Sequence, residues 1–185
     1  MALEKPKFKL LKKEGRFELR EYESYLTSQV TIRARDYNEA ANQGFRPLAN
    51  YIFGENISKD KIAMTAPVTA QPRSEKIAMT APVTVSGDGE YTVEFVIPSK
   101  YTVDTLPEPL DDKVSFHQHP PRTIAAVRFS GRFNQPNFEK HIRMLREWIQ
   151  KEGLIEKAEP TIAGYDPPFT PWFLKHNEVM IEIEK

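Results

Sequence analysis

From Arg16 the chain alternates polar and apolar residues through Phe17, Glu18, Leu19, Arg20, Glu21 and Tyr22, the pattern of a strand buried on one face. A second strand is predicted over Tyr25 to Ala34, rich in Thr, Val and Ile, with Glu23-Ser24 as the turn between the two. The period then changes. Tyr37, Ala41, Phe45, Leu48 and Ile52 recur at helical spacing behind Asp36-Tyr37-Asn38-Glu39, which has the form of a capping box, and Gly54 supplies the stop. Pro47 removes the bond to the Gln43 carbonyl at a cost of about 3 kcal/mol, which predicts a kink or a restarted helix there. Ser86-Gly87-Asp88-Gly89 reads as a tight turn, and Tyr91 to Ile97 as a strand with Val93, Phe95 and Ile97 on one face.

Ser99 to Asp112, with Pro107 and Pro109, is a connecting loop, after which the same order returns. Val114 to His119 makes one strand, Pro120-Pro121 breaks it, and Thr123 to Phe129 makes another. Pro136 opens a second helix with a stripe of Phe138, Ile142, Leu145, Trp148 and Ile149 that Gly153 ends, and strands at about 159–165 and 178–184 close the chain. Two halves, about 15–98 and 113–185, therefore each read strand, strand, helix, strand, strand, a pseudo-repeat in element order and not in sequence identity. Neither half is large enough to stabilise itself well. Pairing them predicts one α+β domain over residues 1–185: a mainly antiparallel sheet or partly closed barrel with two helices packed on it, and a cleft at the seam.

One stretch stands apart from this periodicity. Lys61-Ile62-Ala63-Met64-Thr65-Ala66-Pro67-Val68-Thr69 recurs letter for letter as Lys76 to Thr84. Two copies are too few for a solenoid, and the simplest expectation is a local duplication in a pair of neighbouring strands. Proline at the seventh position cannot donate to a ladder, so each copy must meet an edge or a bulge there, or stop pairing. Nothing in the string is a nucleophile or a titratable pair, which points to packing.

Composition narrows the function. Lys plus Arg and Asp plus Glu both number 26, so no net charge draws the chain to nucleic acid or an anionic membrane. With no cysteine, disulfides, thiolate catalysis and Cys-ligated zinc or haem are excluded. The absence of a leader or membrane-length apolar run predicts a soluble cytoplasmic protein, or a periplasmic one if a signal peptide has been removed.

Lys-Ile-Ala-Met-Thr-Ala-Pro-Val placed after a helix ending in Phe53-Gly54-x-Asn56 resembles the signature of the SOUL haem-binding family. Phe17-Glu18-Leu19-Arg20-x-Tyr22, Phe129-Ser130-Gly131, Gly164-Tyr165-Asp166-Pro167-Pro168 and Asn177-Glu178-Val179 are similar to further motifs of that family, in family order, and the doubled nonamer looks like its bacterial branch. The resemblance implies a distorted β-barrel of two pseudo-symmetric halves flanked by two helices. It also implies reversible, non-covalent binding of haem or another tetrapyrrole in a shallow apolar cleft, with no single firm reaction. By the same resemblance the cleft wall falls on Asn42, Phe45, Ala49 and Asn50 of the first helix and on Phe169, Pro171 and Trp172. One branch has a histidine, proposed as the iron ligand, where this chain has Glu21, so weak or absent axial ligation is expected; another has basic residues at Asn42 and Asn50, where asparagine cannot neutralise propionates as Arg or Lys would.

Several side chains merit weighing on chemistry alone. His117 and His119 share a face of one strand, half of a metal site with no acidic third partner nearby in sequence. His141 beside the apolar stripe suits a packed, hydrogen-bonded imidazole, whereas His176 lies close in sequence to the expected cleft wall and is the histidine to test as a ligand. Met64 and Met79 could ligate iron through their thioethers or fill the core. Phe45, Phe169 and Trp172 suit a porphyrin face or a core, and Arg46, Arg132 and Lys175 could reach propionates from a rim. Glu178, beginning an apolar strand beside Tyr165, offers a different reading: a ligand-binding or hydrolytic cleft of the kind found in gyrase-inhibitor-like domains, which share the two-half architecture. The tetrapyrrole-binding role, as carrier, buffer or sensor, is the main expectation.

Overall fold

The computed structural model describes residues 3–59, 74–167 and 169–184. The first half contains β1 (Phe8–Glu14), β2 (Phe17–Tyr22), β3 (Tyr25–Arg33), α1 (Tyr37–Phe53), a two-residue β4 (Asn56–Ile57), β5 (Val83–Asp88) and β6 (Glu90–Val96). The second contains β7 (Glu108–Pro109), β8 (Ser115–His119), β9 (Arg122–Phe129), α2 (Gln135–Lys151), β10 (Thr161–Gly164), a short 3-10 turn (Trp172–Leu174) and β11 (Asn177–Ile183). Every helix and strand predicted by period is present, within a residue or two at each end, apart from the nonamer strands.

Nine strands form one antiparallel sheet in the order β1-β2-β9-β11-β10-β5-β6-β3-β8, while β4 and β7 pair separately. Beyond β1, exchanging β2, β3, β5 and β6 for β8, β9, β10 and β11 turns this order into itself read backwards. Strands of the two halves pair at β2–β9, at β3–β8 and, in the middle of the order, at β10–β5. The sheet curls into a half-barrel. Tyr22 near one end and Tyr25 near the other stand 6.1 Å apart between ring centroids, and Arg122 of β9 donates to the Tyr25 hydroxyl.

Alternation sorts each strand between two environments. Val93, Phe95 and Ile97, with Val127, Phe129, Ile162, Val179 and Ile181, face the helices and build the main core. Tyr22, Ile124, Ala126, Ala163 and Met180 form a smaller cluster on the opposite face, inside the curl. Asp36 caps α1 by accepting from the Glu39 N–H at 2.8 Å, as the capping pattern required, while the Glu39 side chain reaches back to the N–H of Arg35, one residue before the cap, at 2.8 Å. Of the two outcomes expected at Pro47, a restart does not occur: α1 runs unbroken from Tyr37 to Phe53. Leu48, Ala49, Tyr51 and Ile52 beyond it are buried in the main core, and that packing outweighs one lost backbone bond.

The first nonamer copy, with Met64, lies outside the described residues. The second is not a strand for most of its length, which corrects the expected strand pair. Ile77 donates its N–H to the Ile52 carbonyl at 2.8 Å and buries its side chain in the main core, and Ala81 donates to Glu4 at 2.9 Å. Ladder pairing begins only after Pro82, at Val83, because the proline has no N–H to contribute. Asn56 fastens this segment: its amide donates to the carbonyls of Tyr51 at 2.7 Å and Glu75 at 2.8 Å and accepts from the Glu75 N–H at 2.9 Å. No helix among the described residues is long and apolar enough to cross a membrane.

Candidate functional site

An open cleft of about 460 Å³ lies on the helix side of the sheet, where the halves meet. The first two turns of α1 present Asn38, Ala41, Asn42 and Phe45 to it at helical spacing. Opposite stand Phe133 and Arg132 from the loop after β9, and Asp166, Trp172 and Lys175 from the loop before β11. Phe133 floors the cleft against Gly164, where an added Cβ would lie 3.3 Å from its ring. Phe45 packs edge-on to Phe95 at 5.2 Å, which fixes one wall.

The loop carrying Trp172 is anchored at its base. Tyr165 N–H donates to the His176 carbonyl at 3.1 Å, the Asp166 carboxylate accepts from the His176 N–H, and Gly131 N–H donates to the Trp172 carbonyl at 2.9 Å. Asn177 adds a bond from its amide to the Gly131 carbonyl at 3.1 Å. The aromatic side chains themselves stay open to solvent: Trp172 is 57% exposed and Phe169 86%, a large apolar surface with no covering element among the described residues.

Of the residues expected in the wall, Asn42, Phe45 and Trp172 line this cleft together with Arg132 and Lys175. Phe169 and Pro171 are exposed on the same loop as Trp172. Ala49 is buried in the core, one turn past Phe45, and half-buried Asn50 does not line the cleft. His176 turns the other way. The pleat puts Asn177 on the helix side and both His176 and Glu178 on the inner side, where the imidazole stacks on Tyr165 at 4.2 Å and its Nε2 lies 2.8 Å from Glu178 Oε1. His141 is buried, with Nδ1 2.7 Å from the Asn137 carbonyl and its ring stacked on Phe129 at 4.0 Å. Burial holds its pKa below the ordinary imidazole value.

Glu178 does not sit in an open cleft, which weighs against the hydrolytic reading built on it. Its side chain is buried and grips Arg20 in a two-pronged pair, Nη1 to Oε2 at 2.7 Å and Nη2 to Oε1 at 2.8 Å. Tyr165 donates to Oε2 at 2.9 Å. Burial alone would raise this carboxyl, but hydrogen bonds from Arg20 and His176, with their charges, overcome it and hold the pKa at about 2. A carboxylate so fully engaged makes a poor general base and offers no free edge to a ligand. Arg20, Tyr22, Tyr165 and Glu178 come from the first and the last two family-like motifs of the chain, and together they link β2 to β11 across β9.

Sequence reasoning missed one further polar pair. His119 is buried on the inner face with Nε2 2.8 Å from Glu94 Oε1, and Thr27 donates to the same oxygen at 2.7 Å. The acid partner that the local sequence around His119 lacks thus arrives from β6. The signal available was Glu94 itself, a lone acid inside the apolar run Val93 to Ile97. Among the described residues no group of three or more potential metal ligands occurs.

A curled antiparallel sheet with two helices on one face, and an open aromatic cleft at the junction of its halves, defines an α+β small-molecule-binding architecture. The chain belongs to the SOUL heme-binding protein family, whose model it matches over residues 3–182. It is 26% identical over 168 residues to heme-binding protein 1 of Xenopus laevis, spanning 87% of this chain and 84% of that one. It is 27% identical over 196 residues to heme-binding protein 2 of Mus musculus, spanning 98% and 90% respectively. Among solved structures, the C-terminal domain of EcmrR superposes with a TM-score of 0.64 over 91% of this chain and 97% of that one, at 14% identity, a likeness of fold.

Proposed function

We propose that the protein binds haem or a related tetrapyrrole, reversibly and non-covalently, in the cleft between α1 and the Trp172 loop, as a carrier, buffer or sensor. The observation that carries this reading is the convergence in one open cleft of two aromatic side chains, Phe45 and Trp172, with two cations, Arg132 and Lys175. A flat apolar macrocycle with two carboxylates needs that combination: ring faces to cover it and basic groups at the rim for its propionates. Neither cation has a carboxylate within ion-pair distance among the described residues, so both are available. Family membership and the named haem-binding relatives support the same ligand class.

Axial ligation is weak or absent in this reading. The described residues lining the cleft include no histidine, methionine or tyrosine, and His176 is engaged by Glu178 on the other face of the sheet. Haem, when bound, supplies the redox-active and light-absorbing centre; the chain supplies apolar cover and charge neutralisation. The palindromic strand order also supports treating residues 1–185 as one domain built from two related halves.

Hemin titration followed at the Soret band tests the proposal. Saturable binding is expected, weakened about tenfold or more by Trp172→Ala, as for a central aromatic contact. Arg132→Glu with Lys175→Glu should weaken it further, while His176→Ala should leave the saturated spectrum unchanged. A spectrum that needs His176, or an affinity indifferent to Trp172, would overturn the assignment.

A further inference from the structure

A second cavity, of about 270 Å³, occupies the inner face of the curled sheet, separated from the haem cleft by the sheet itself. Eight of the strands contribute to it; only β1 among those of the large sheet does not. Tyr22, Tyr25, Ile124, Val96 and Met180 give it an apolar and aromatic wall, and Glu94 is its most deeply buried acid.

Glu94 and Glu178 occupy matching places in the sheet. Glu94 stands opposite Thr84, Thr84 opposite Ala163, and Ala163 opposite Glu178, one row across the junction of the halves. Their surroundings differ. Both oxygens of Glu178 are taken by Arg20, with Tyr165 and His176 added. Oε1 of Glu94 accepts from Thr27 and meets His119, but among the described residues Oε2 has only the Thr84 hydroxyl at 3.5 Å, the limit of a hydrogen bond. A buried carboxylate oxygen has room for about two donors, so this one retains acceptor capacity beside an open cavity.

Among the described residues of the wall, carboxylates outnumber guanidinium groups. Glu90, Glu94, Glu159 and Glu182 line the cavity with one guanidinium, Arg122, which donates to the Tyr25 hydroxyl and lies 3.5 Å from Glu182 while its Nε is buried without a hydrogen-bond partner; Glu90, Glu159 and Glu182 pair at the rim with Arg33, Arg146 and Lys157, which leaves Glu94 as the buried acid facing the cavity. We propose that this inner pocket is a second ligand site, taking a small protonated amine with a compact aromatic or aliphatic body, its ammonium on Glu94 Oε2 and its body against Tyr25 and Met180. A carboxylate ligand would meet like charge on most sides, and a tetrapyrrole exceeds the volume. Burial pushes the Glu94 carboxyl up, but the hydrogen bond and charge of His119 and the bond from Thr27 outweigh it and keep the pKa below the ordinary range, so the acid is ionised at neutral pH. Charge-assisted hydrogen bonds in a partly dry pocket are the strong ones, which sets the expected preference for a cation.

The test uses benzylammonium, benzyl alcohol and benzoate against the full chain labelled with 13C at its methionine methyl groups. Met180 lines the inner pocket and Met79 packs in the main core, so the two methyls report on opposite faces. Benzylammonium should shift the Met180 signal saturably and leave Met79 in place, with benzyl alcohol and benzoate at least about tenfold weaker. Glu94→Gln should weaken benzylammonium by at least about tenfold. Ser86→Trp, which fills the cavity from a half-buried position and leaves Glu94, Thr27 and His119 themselves unchanged, should abolish the shift while the spectrum stays that of a folded protein. Equal response to the three probes, an unmoved Met180, or undiminished binding in folded Ser86→Trp would overturn the proposal.

Discussion

Glu178 and Arg20 are a buried pair, and their worth to the molecule depends on both being present. Removing one partner of such a pair leaves an uncompensated charge and typically costs about 3–5 kcal/mol, so Arg20→Ala should destabilise the fold by that order in urea denaturation. The pair also sets a pH dependence. The carboxyl titrates at about 2 in the folded chain, below its ordinary value, so its contribution is complete above the ordinary carboxylate range and is lost as the pH falls through that range toward 2. The shift corresponds to stabilisation on the order of 3 kcal/mol. Glu178→Gln should therefore be less stable than the parent at pH 7 and lose less on acidification; parallel loss of stability in the two proteins between pH 5 and pH 2 would show that the acid dependence comes from elsewhere. Neither residue's partner was visible in the sequence. Arg20 and Glu178 are 158 positions apart, and only the placement of β9 between β2 and β11 brings them together.

At the scale of elements, Gly44 shows how closely α1 is seated. A Cβ there would lie 2.5 Å from one Val93 methyl and 2.7 Å from the Val93 Cβ, the second of which cannot rotate aside. Alanine would gain up to about 1 kcal/mol in helix propensity, but overpacking at such a contact costs about 1–3 kcal/mol, so Gly44→Ala should lower stability on balance. An unchanged or raised denaturation midpoint would mean that α1 can slide away from β6. What was legible in the sequence follows from the same packing. Helices and central strands bury one face, and burial leaves a period; the α2 stripe and the Val93, Phe95, Ile97 face were read from that alone. Strand β1 was missed because all of its residues are exposed, and it is held to β2 by backbone pairing that leaves no apolar alternation. The second nonamer copy misled in the opposite direction, since Ile77 and Met79 pack into the main core outside any strand and the sheet ladder takes up the copy only at Val83. In the cleft, Phe45 and Trp172 came from family likeness, and Arg132 and Lys175 were noted as rim cations. Their convergence depends on Gly131 bonding to the Trp172 carbonyl, a loop-to-loop contact with no periodic trace.

At the scale of the whole molecule, the cleft proposed for haem lies between elements from the two halves of the sequence. One wall is α1, from the first half, and the other is carried by the loops before α2 and β11, from the second. A ligand held there touches both halves and must be released before either unfolds, so its binding energy adds to the global transition. With free hemin at a hundredfold excess over Kd the added stability is about 2.7 kcal/mol, which for a chain of this size corresponds to a rise in Tm of roughly 5–10 °C. Hemin is also a sticky, flat molecule that adsorbs to exposed aromatic surface, and Phe169, Trp172 and Phe173 provide such surface on one loop. The two modes separate by residue. Phe173 is exposed on the same short turn as Trp172 but does not line the cleft, so Phe173→Ala should preserve the Tm rise, whereas Phe45→Ala, on the opposite wall, should reduce it by several degrees. Loss of the rise in Phe173→Ala with retention in Phe45→Ala would place hemin on the loop surface instead of in the cleft.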